Sequence, residues 1–291
     1  MPSLRAALLL LLFCPAGLVL AAPDARVEGM QLPAWVDRDG KRRPLAIGSE
    51  LRSNDQVSTG ADARLLLRLA DGSTVKLGEN ARLLLTDVVQ RRKDSFLGAT
   101  LRVIEGAFRF TTGAALKART SRDIVVQFPT VTAGIRGTDI WGKNLGDREV
   151  VVLIEGHITI SRAGDTPVEM KEALTYLQAP KEGAASVAPV PMEQLKLWAA
   201  ETEIAAGQGA LRADGKWKLY LGSFERQADA LALYDALRRD GYPARIRPQP
   251  REGGQLYRVR IAGFADESEA AFVGARLKAA HPGVAPVVSL Q

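Results

Sequence analysis

The sequence has one cysteine, Cys14, two histidines, His157 and His281, and only 6% aromatic residues. Each scarcity closes off some chemistry. Cys14 lies inside an apolar N-terminal run and follows Phe13, where a lipidated cysteine wants a small residue. Cleavage after that run leaves a chain with no disulfide, no thiolate nucleophile and no cysteine metal site. The histidines stand apart, without metal-ligand spacing: His157 at a turn between strands, His281 in a His-Pro-Gly helix exit. Carboxylates are plentiful, but no motif singles one out. The sequence therefore offers no catalytic residue, no metal site and no cofactor. No apolar run reaches the roughly twenty residues of a membrane span.

Arg5 precedes the apolar run Ala6 to Leu20, which closes on the small-residue pattern Val19-Leu20-Ala21. This reads as a secretory signal peptide over residues 1–21, and its removal leaves an exported chain without a transmembrane anchor. The apolar and charged fractions, 46% and 25%, are those of globular protein, and 291 residues suffice for two domains. The net charge of +6 favours anionic surfaces such as acidic glycans or lipid headgroups. Export argues against nucleic acid as a partner.

After a short polar leader, residues 35–176 read as strand after strand. Ala63 to Leu69 and Thr74 to Leu77 alternate apolar and polar residues around Asp71-Gly72, a strong hairpin signal because glycine supplies positive φ without steric cost. Glu105-Gly106 and Glu155-Gly156 read as turns between later strand pairs. Short strands at this spacing predict an all-β domain, an antiparallel sandwich or rolled sheet. Residues 178–210 read as a linker: from 178 to about 190 the composition shifts to Ala, Pro, Gly and Ser, and a helix follows over 192–206. Leu195, Trp198 and Ala199 share one face of that helix, so Trp198 is expected to pack it on a neighbouring domain.

The β region resembles the FecR domain at three places: Asp55-Gln-Val-Ser-Thr-Gly60 with Asp71-Gly-Ser-Thr-Val75, then Ile104-Glu-Gly106, then Phe128 to Asp139 (with Ile135-Arg-Gly-Thr-Asp139) followed by Leu153-Ile-Glu-Gly156. The resemblance implies the fold. The family's best-known members relay a signal through a cytoplasmic segment and a membrane helix that this sequence does not show.

Residues 215–291 repeat themselves. Trp217, Leu219, Leu221 and Phe224 are answered by Tyr257, Val259, Ile261 and Phe264, and Ala230, Leu233 and Leu237 by Ala270, Val273 and Leu277. Each half reads strand, helix, strand, which predicts an α+β domain of order βαββαβ: a four-stranded antiparallel sheet with two helices on one face. With Trp217, Leu219 and Leu221 beneath the helices, alternation turns Lys218 and Tyr220 to the uncovered face. Leu256, Arg258 and Arg260 join them from the third strand, and Arg245 and Arg247 follow if Ile246 enters the core.

Trp217-Lys-Leu-Tyr-Leu-Gly-Ser-Phe224, the helix ending in Gly241-Tyr242, and Tyr257-Arg-Val-Arg-Ile-Ala-Gly-Phe264 together resemble the SPOR domain. The resemblance implies binding of peptidoglycan glycan strands stripped of their stem peptides, in the periplasm of a Gram-negative bacterium and at the division septum. It carries the family's contact positions onto Tyr220, Ser223, Leu256 and Arg258. Tyr220 stands where glutamine is common, and Leu256 where an aromatic is frequent. The glycan-binding set is thus Lys218, Tyr220, Ser223, Leu256, Arg258 and Arg260. An alternative reading makes the FecR-like domain a sensor or scaffold for another envelope protein, with the SPOR-like domain as its localiser.

Overall fold

The structure, a computed structural model of the chain, describes residues 24–91, 96–113, 122–135 and 137–290. The expected signal peptide and Cys14 lie outside them. In the strand Arg64–Leu69, alternation buries Leu65, Leu67 and Leu69. Gly72, at φ 81°, turns the chain back into Thr74–Leu77 with Leu67 opposite Val75.

Strands of this kind build two sheets. The first runs, neighbour to neighbour, Ser186–Pro189, Thr175–Pro180, Arg148–Glu155, Asp139–Asn144, the second part of Phe96–Thr111, Thr74–Leu77, Arg64–Leu69 and Ala25–Gln31. The second runs Lys41–Pro44, Ala34–Arg38, Gln56–Thr59, Arg82–Arg91, the first part of Phe96–Thr111, Arg122–Gln127, Val131–Ile135, Ile158–Arg162 and Val168–Met170. Val27, Leu65, Phe108, Phe110 and Leu153 of the first meet Val57, Leu83, Leu101, Val126 and Ile158 of the second in one apolar core. Most neighbours are antiparallel as expected; Arg122–Gln127 lies parallel to Phe96–Thr111.

Three expectations change. Glu105-Gly106 and Glu155-Gly156 are not hairpin turns. Phe96–Thr111 is a single strand that pairs in the second sheet up to Glu105 and in the first from Gly106 onward. Arg148–Glu155 belongs to the first sheet and Ile158–Arg162 to the second. Both glycines, at φ 82° and 95°, are corners where the chain changes sheet. The presumed polar leader is partly the strand Ala25–Gln31, whose Ala25, Val27, Met30 and Gln31 are buried. The start of the presumed linker is also strand: Leu177 and Ala179 alternate inward, and Ser186–Pro189 pairs alongside. Pro180 and Pro189 fall at strand ends, where a missing N–H costs little of the ladder.

The helix Met192–Thr202 covers the outer face of the first sheet. Trp198 stacks on Trp141 at 5.1 Å between ring centroids, with Tyr176 edge-on at 5.7 Å. Asp139, the last residue of the glycine-bearing motif, holds Arg109 with two hydrogen bonds, and Arg109 reaches Glu203 just past the helix at 3.0 Å. These carboxylates raise the Arg109 pKa, with Asp139 the larger cause. Asp139 thus has a structural role here, as the anchor of Arg109 beneath the helix exit. Trp198→Ala is expected to cost about 2–4 kcal/mol in a urea melt, since it removes both aromatic contacts and leaves a cavity over Trp141.

The C-terminal domain is not tethered loosely. The strand Ala210–Arg212, just before it, bridges the two domains: it pairs with Ala25–Gln31 in the register Gly29 to Arg212, and Leu211 also pairs with Phe264. Gln31 donates to the carbonyls of Ala205 and Gln208, each at 3.1 Å. The buried Glu269 carboxylate accepts from the amides of Gly207 and Ala210, both at 2.8 Å. On another side, Trp35 Nε1 donates to the Arg239 carbonyl at 3.2 Å. The N-terminal domain therefore fixes where the C-terminal sheet points.

Candidate functional site: the open face of the C-terminal sheet

Four antiparallel strands stand in the order Val287–Leu290, Trp217–Phe224, Gly254–Phe264, Arg245–Arg251. The helices Gln227–Arg239 and Glu267–Ala280 cover one face, where Leu219, Leu221, Val259 and Ile261 are buried with Ala230, Leu237, Ala270, Val273 and Leu277. Gly241, at φ 86°, ends the first helix. Asp266 caps the second by accepting from the Glu269 amide at 3.0 Å. The Ser268 hydroxyl and that amide hold the Asp266 carboxyl below its ordinary range, so the cap is charged at neutral pH.

The opposite face has no covering element among the described residues. Its rows follow from the register. Val287, Tyr220, Arg260 and Arg245 form one row, and Ser223, Arg258 and Arg247 the next. Lys218 lies between Ser289 and Ala262, toward one end, while Leu256 lies opposite Gln249 toward the other. Strict alternation from Tyr220 would send Ser223 into the core. A register shift between Tyr220 and Gly222 adds one residue to the strand, keeps Leu221 buried and brings Ser223 out opposite Arg258.

Charge on this face is one-sided. Arg258 stands opposite Arg247, and Arg260 opposite Arg245. Among the described residues this domain's ion pairs are Arg226–Asp229, Arg251–Glu225 and His281–Asp240; of these cations only Arg251, at the strand end opposite Gly254, lies in the outward row, and Arg245, Arg247, Arg258 and Arg260 are in none of them. The Nε atoms of Arg258 and Arg260 are buried and have no hydrogen-bond partner among the described residues. Arg258 Cζ sits 5.5 Å from the centroid of the Tyr220 ring. Like charges directly opposite in a sheet cost stability. An unpaired buried donor costs more. An anion laid across this face would offset the repulsion between the facing arginines.

Tyr220, Arg258 and Arg260 line one shallow groove of about 380 Å³ with Arg247, Pro248 and Gln249. Lys218, Ser223 and Leu256 share the face without lining that groove. Sequence reading passes over Val287, 60% exposed beside Tyr220, because the short final strand shows no alternation long enough to orient it.

Residues 213–288 match the family model of the SPOR domain, and residues 55–159 that of the FecR protein. The chain carries a FecR domain followed by a SPOR domain. The open face just described belongs to the SPOR domain, which points to peptidoglycan binding. FecR and SPOR are binding and regulatory families rather than catalytic ones. No curated protein matches the chain significantly. Two crystal structures of a protein provisionally named as an anti-sigma factor from Parabacteroides distasonis ATCC 8503 are similar, each with a TM-score of 0.40. Their identities to this chain are 11% and 12%, and the matches cover 81% of it and 99% and 98% of those chains.

Among the described residues no helix is long and apolar enough to cross a membrane, and no group of three or more His, Cys, Asp or Glu residues could hold a metal ion. His157 lies at a corner between strands, and His281, at the end of the second SPOR helix, has its Nε2 3.1 Å from Asp240 at the end of the first.

Proposed function

We propose that this is an exported, non-enzymatic peptidoglycan-binding protein of the Gram-negative periplasm, whose SPOR domain holds glycan strands freed of their stem peptides at the division septum. The unneutralised arginine ladder around Tyr220 carries the reading. Removal of the stem peptide leaves a free lactyl carboxylate on each muramic acid. A guanidinium can hold a carboxylate with two parallel charge-assisted hydrogen bonds. Tyr220 and Val287 offer an apolar surface to the sugar rings, and Ser223 a hydroxyl to theirs. At a wet surface each ion pair contributes only about 0–1 kcal/mol, so useful affinity requires several sugars in register with the two arginine rows.

The full chain is expected to be retained more strongly by purified sacculi after an amidase has removed stem peptides than before. Equal retention on both, or none on either, would overturn the reading. A second reading, with the FecR domain binding another envelope protein, draws on the free edge of Ser186–Pro189, where Val187 is exposed. Capture of that partner would survive the loss of glycan binding.

A further inference from the structure

The groove on the SPOR sheet does not stop at the domain's edge. Arg247 and Arg260 also line a second pocket, of about 410 Å³, which lies between the two domains. Its far wall is Ala46 and Ile47 of the FecR-side domain, in the loop after the strand Lys41–Pro44. Its near wall adds Arg212 and Arg245. Arg212 is held there by the pairing of Ala210–Arg212 with Ala25–Gln31, a contact between domains. Gly263, at φ 101°, leaves the wall bare: a Cβ there would lie 3.8 Å from Ile47 Cγ1. Among the described residues, four arginines and no carboxylate line this space. Its volume falls within the range of small-molecule sites, and its lining suits an anion that can accept several N–H bonds at once.

We infer that this junction is a second anion subsite of the glycan site, taking the carboxylate of a neighbouring sugar acid on the same strand, with the FecR-side domain as one wall. The inference rests on the glycan reading of the open face. Continuity through Arg247 and Arg260 is what assigns the carboxylate to the bound strand rather than to a free small anion. It also gives the contact between the domains a consequence: the glycan contacts both, and a separated SPOR domain would lack the wall.

The test uses the full chain and denuded glycan oligomers, native and carboxyl-reduced, with binding followed by fluorescence anisotropy. Ala46→Glu places a carboxylate opposite the arginines and should weaken binding of the native oligomer about three- to tenfold. Ala46→Lys, of similar bulk and opposite charge, should not weaken it. Arg212→Gln should weaken it about two- to fivefold. Carboxyl-reduced oligomer should not distinguish Ala46→Glu from the wild type. If Ala46→Glu and Arg212→Gln bind native oligomer as the wild type does while Arg258→Gln does not, the subsite is wrong and the open-face reading stands. If Arg258→Gln also binds normally, the glycan reading fails and the subsite with it. Inorganic phosphate that binds in the pocket without displacing the oligomer would show an independent anion site and overturn the assignment.

Discussion

Arg258→Gln is expected to lower affinity for denuded glycan about ten- to thirtyfold while leaving the thermal midpoint unchanged or slightly raised. Arg258 is central to the open face, between Ser223 and Arg247 and beside the Tyr220 ring. Its side chain is half-buried against that ring, so a carboxylate held by its outer N–H groups is less screened than one at a fully exposed pair. A hydrogen bond to a charged group contributes about 1.5–3 kcal/mol, and the loss of Arg247's repulsion returns a fraction of that. A net 1.4–2 kcal/mol corresponds to the stated range. No ion pair is broken, because Arg258 makes none among the described residues. Anisotropy at two salt concentrations checks it: affinity should fall and its salt dependence should flatten. Unchanged affinity would remove Arg258 from the site, and a collapse of the thermal midpoint would make its role structural.

Gly106→Ala should be a strongly damaging small substitution in the FecR-side domain, costing about 2–5 kcal/mol. Gly106 has φ 82°, a region that costs an L-residue about 1–2 kcal/mol. A Cβ there would also lie 2.5 Å from both Cα and Cβ of Ala81, so backbone must move in a packed corner, at about 1–3 kcal/mol more. Gly146 supplies the control: its φ is 89°, but nothing lies within 4 Å of the added Cβ. Gly146→Ala should therefore cost only about 1–2 kcal/mol. Urea melts of the two variants give the comparison. Equal losses would mean that Gly106 does not turn the chain against Ala81.

Much of the SPOR domain was legible because its two halves restate one pattern. Leu219, Val259, Ile261 and their helical partners repeat with apolar spacing, and burial follows that spacing directly. The face of Tyr220, Arg258 and Arg260 follows by exclusion. Ser223 did not follow from alternation, since the extra residue at Leu221–Gly222 reverses the count, and only the resemblance to a family placed it. In the FecR-side domain, the strands at Arg64–Leu69 and Thr74–Leu77 were legible, but the two Glu-Gly corners were misread. A positive-φ glycine between apolar runs looks the same whether the chain reverses within one sheet or passes into another. Ala25–Gln31 and Thr175–Pro180 were passed over because composition masked short alternations that acquire meaning only beside a neighbouring strand.

The sequence by itself determined the two-domain plan, the order of elements in the SPOR domain and the excess of cations on its uncovered face, because these depend on spacing along the chain. Tertiary structure alone decided that Arg247 faces Arg258 and Arg245 faces Arg260 without an acid between them. It also decided that Arg212, Ala46 and Ile47 complete a pocket at the end of that face. Those juxtapositions depend on strand register and on the pairing of Ala210–Arg212 with Ala25–Gln31, across more than 170 residues of sequence. Local pattern carries no information about which distant edge a three-residue strand will join.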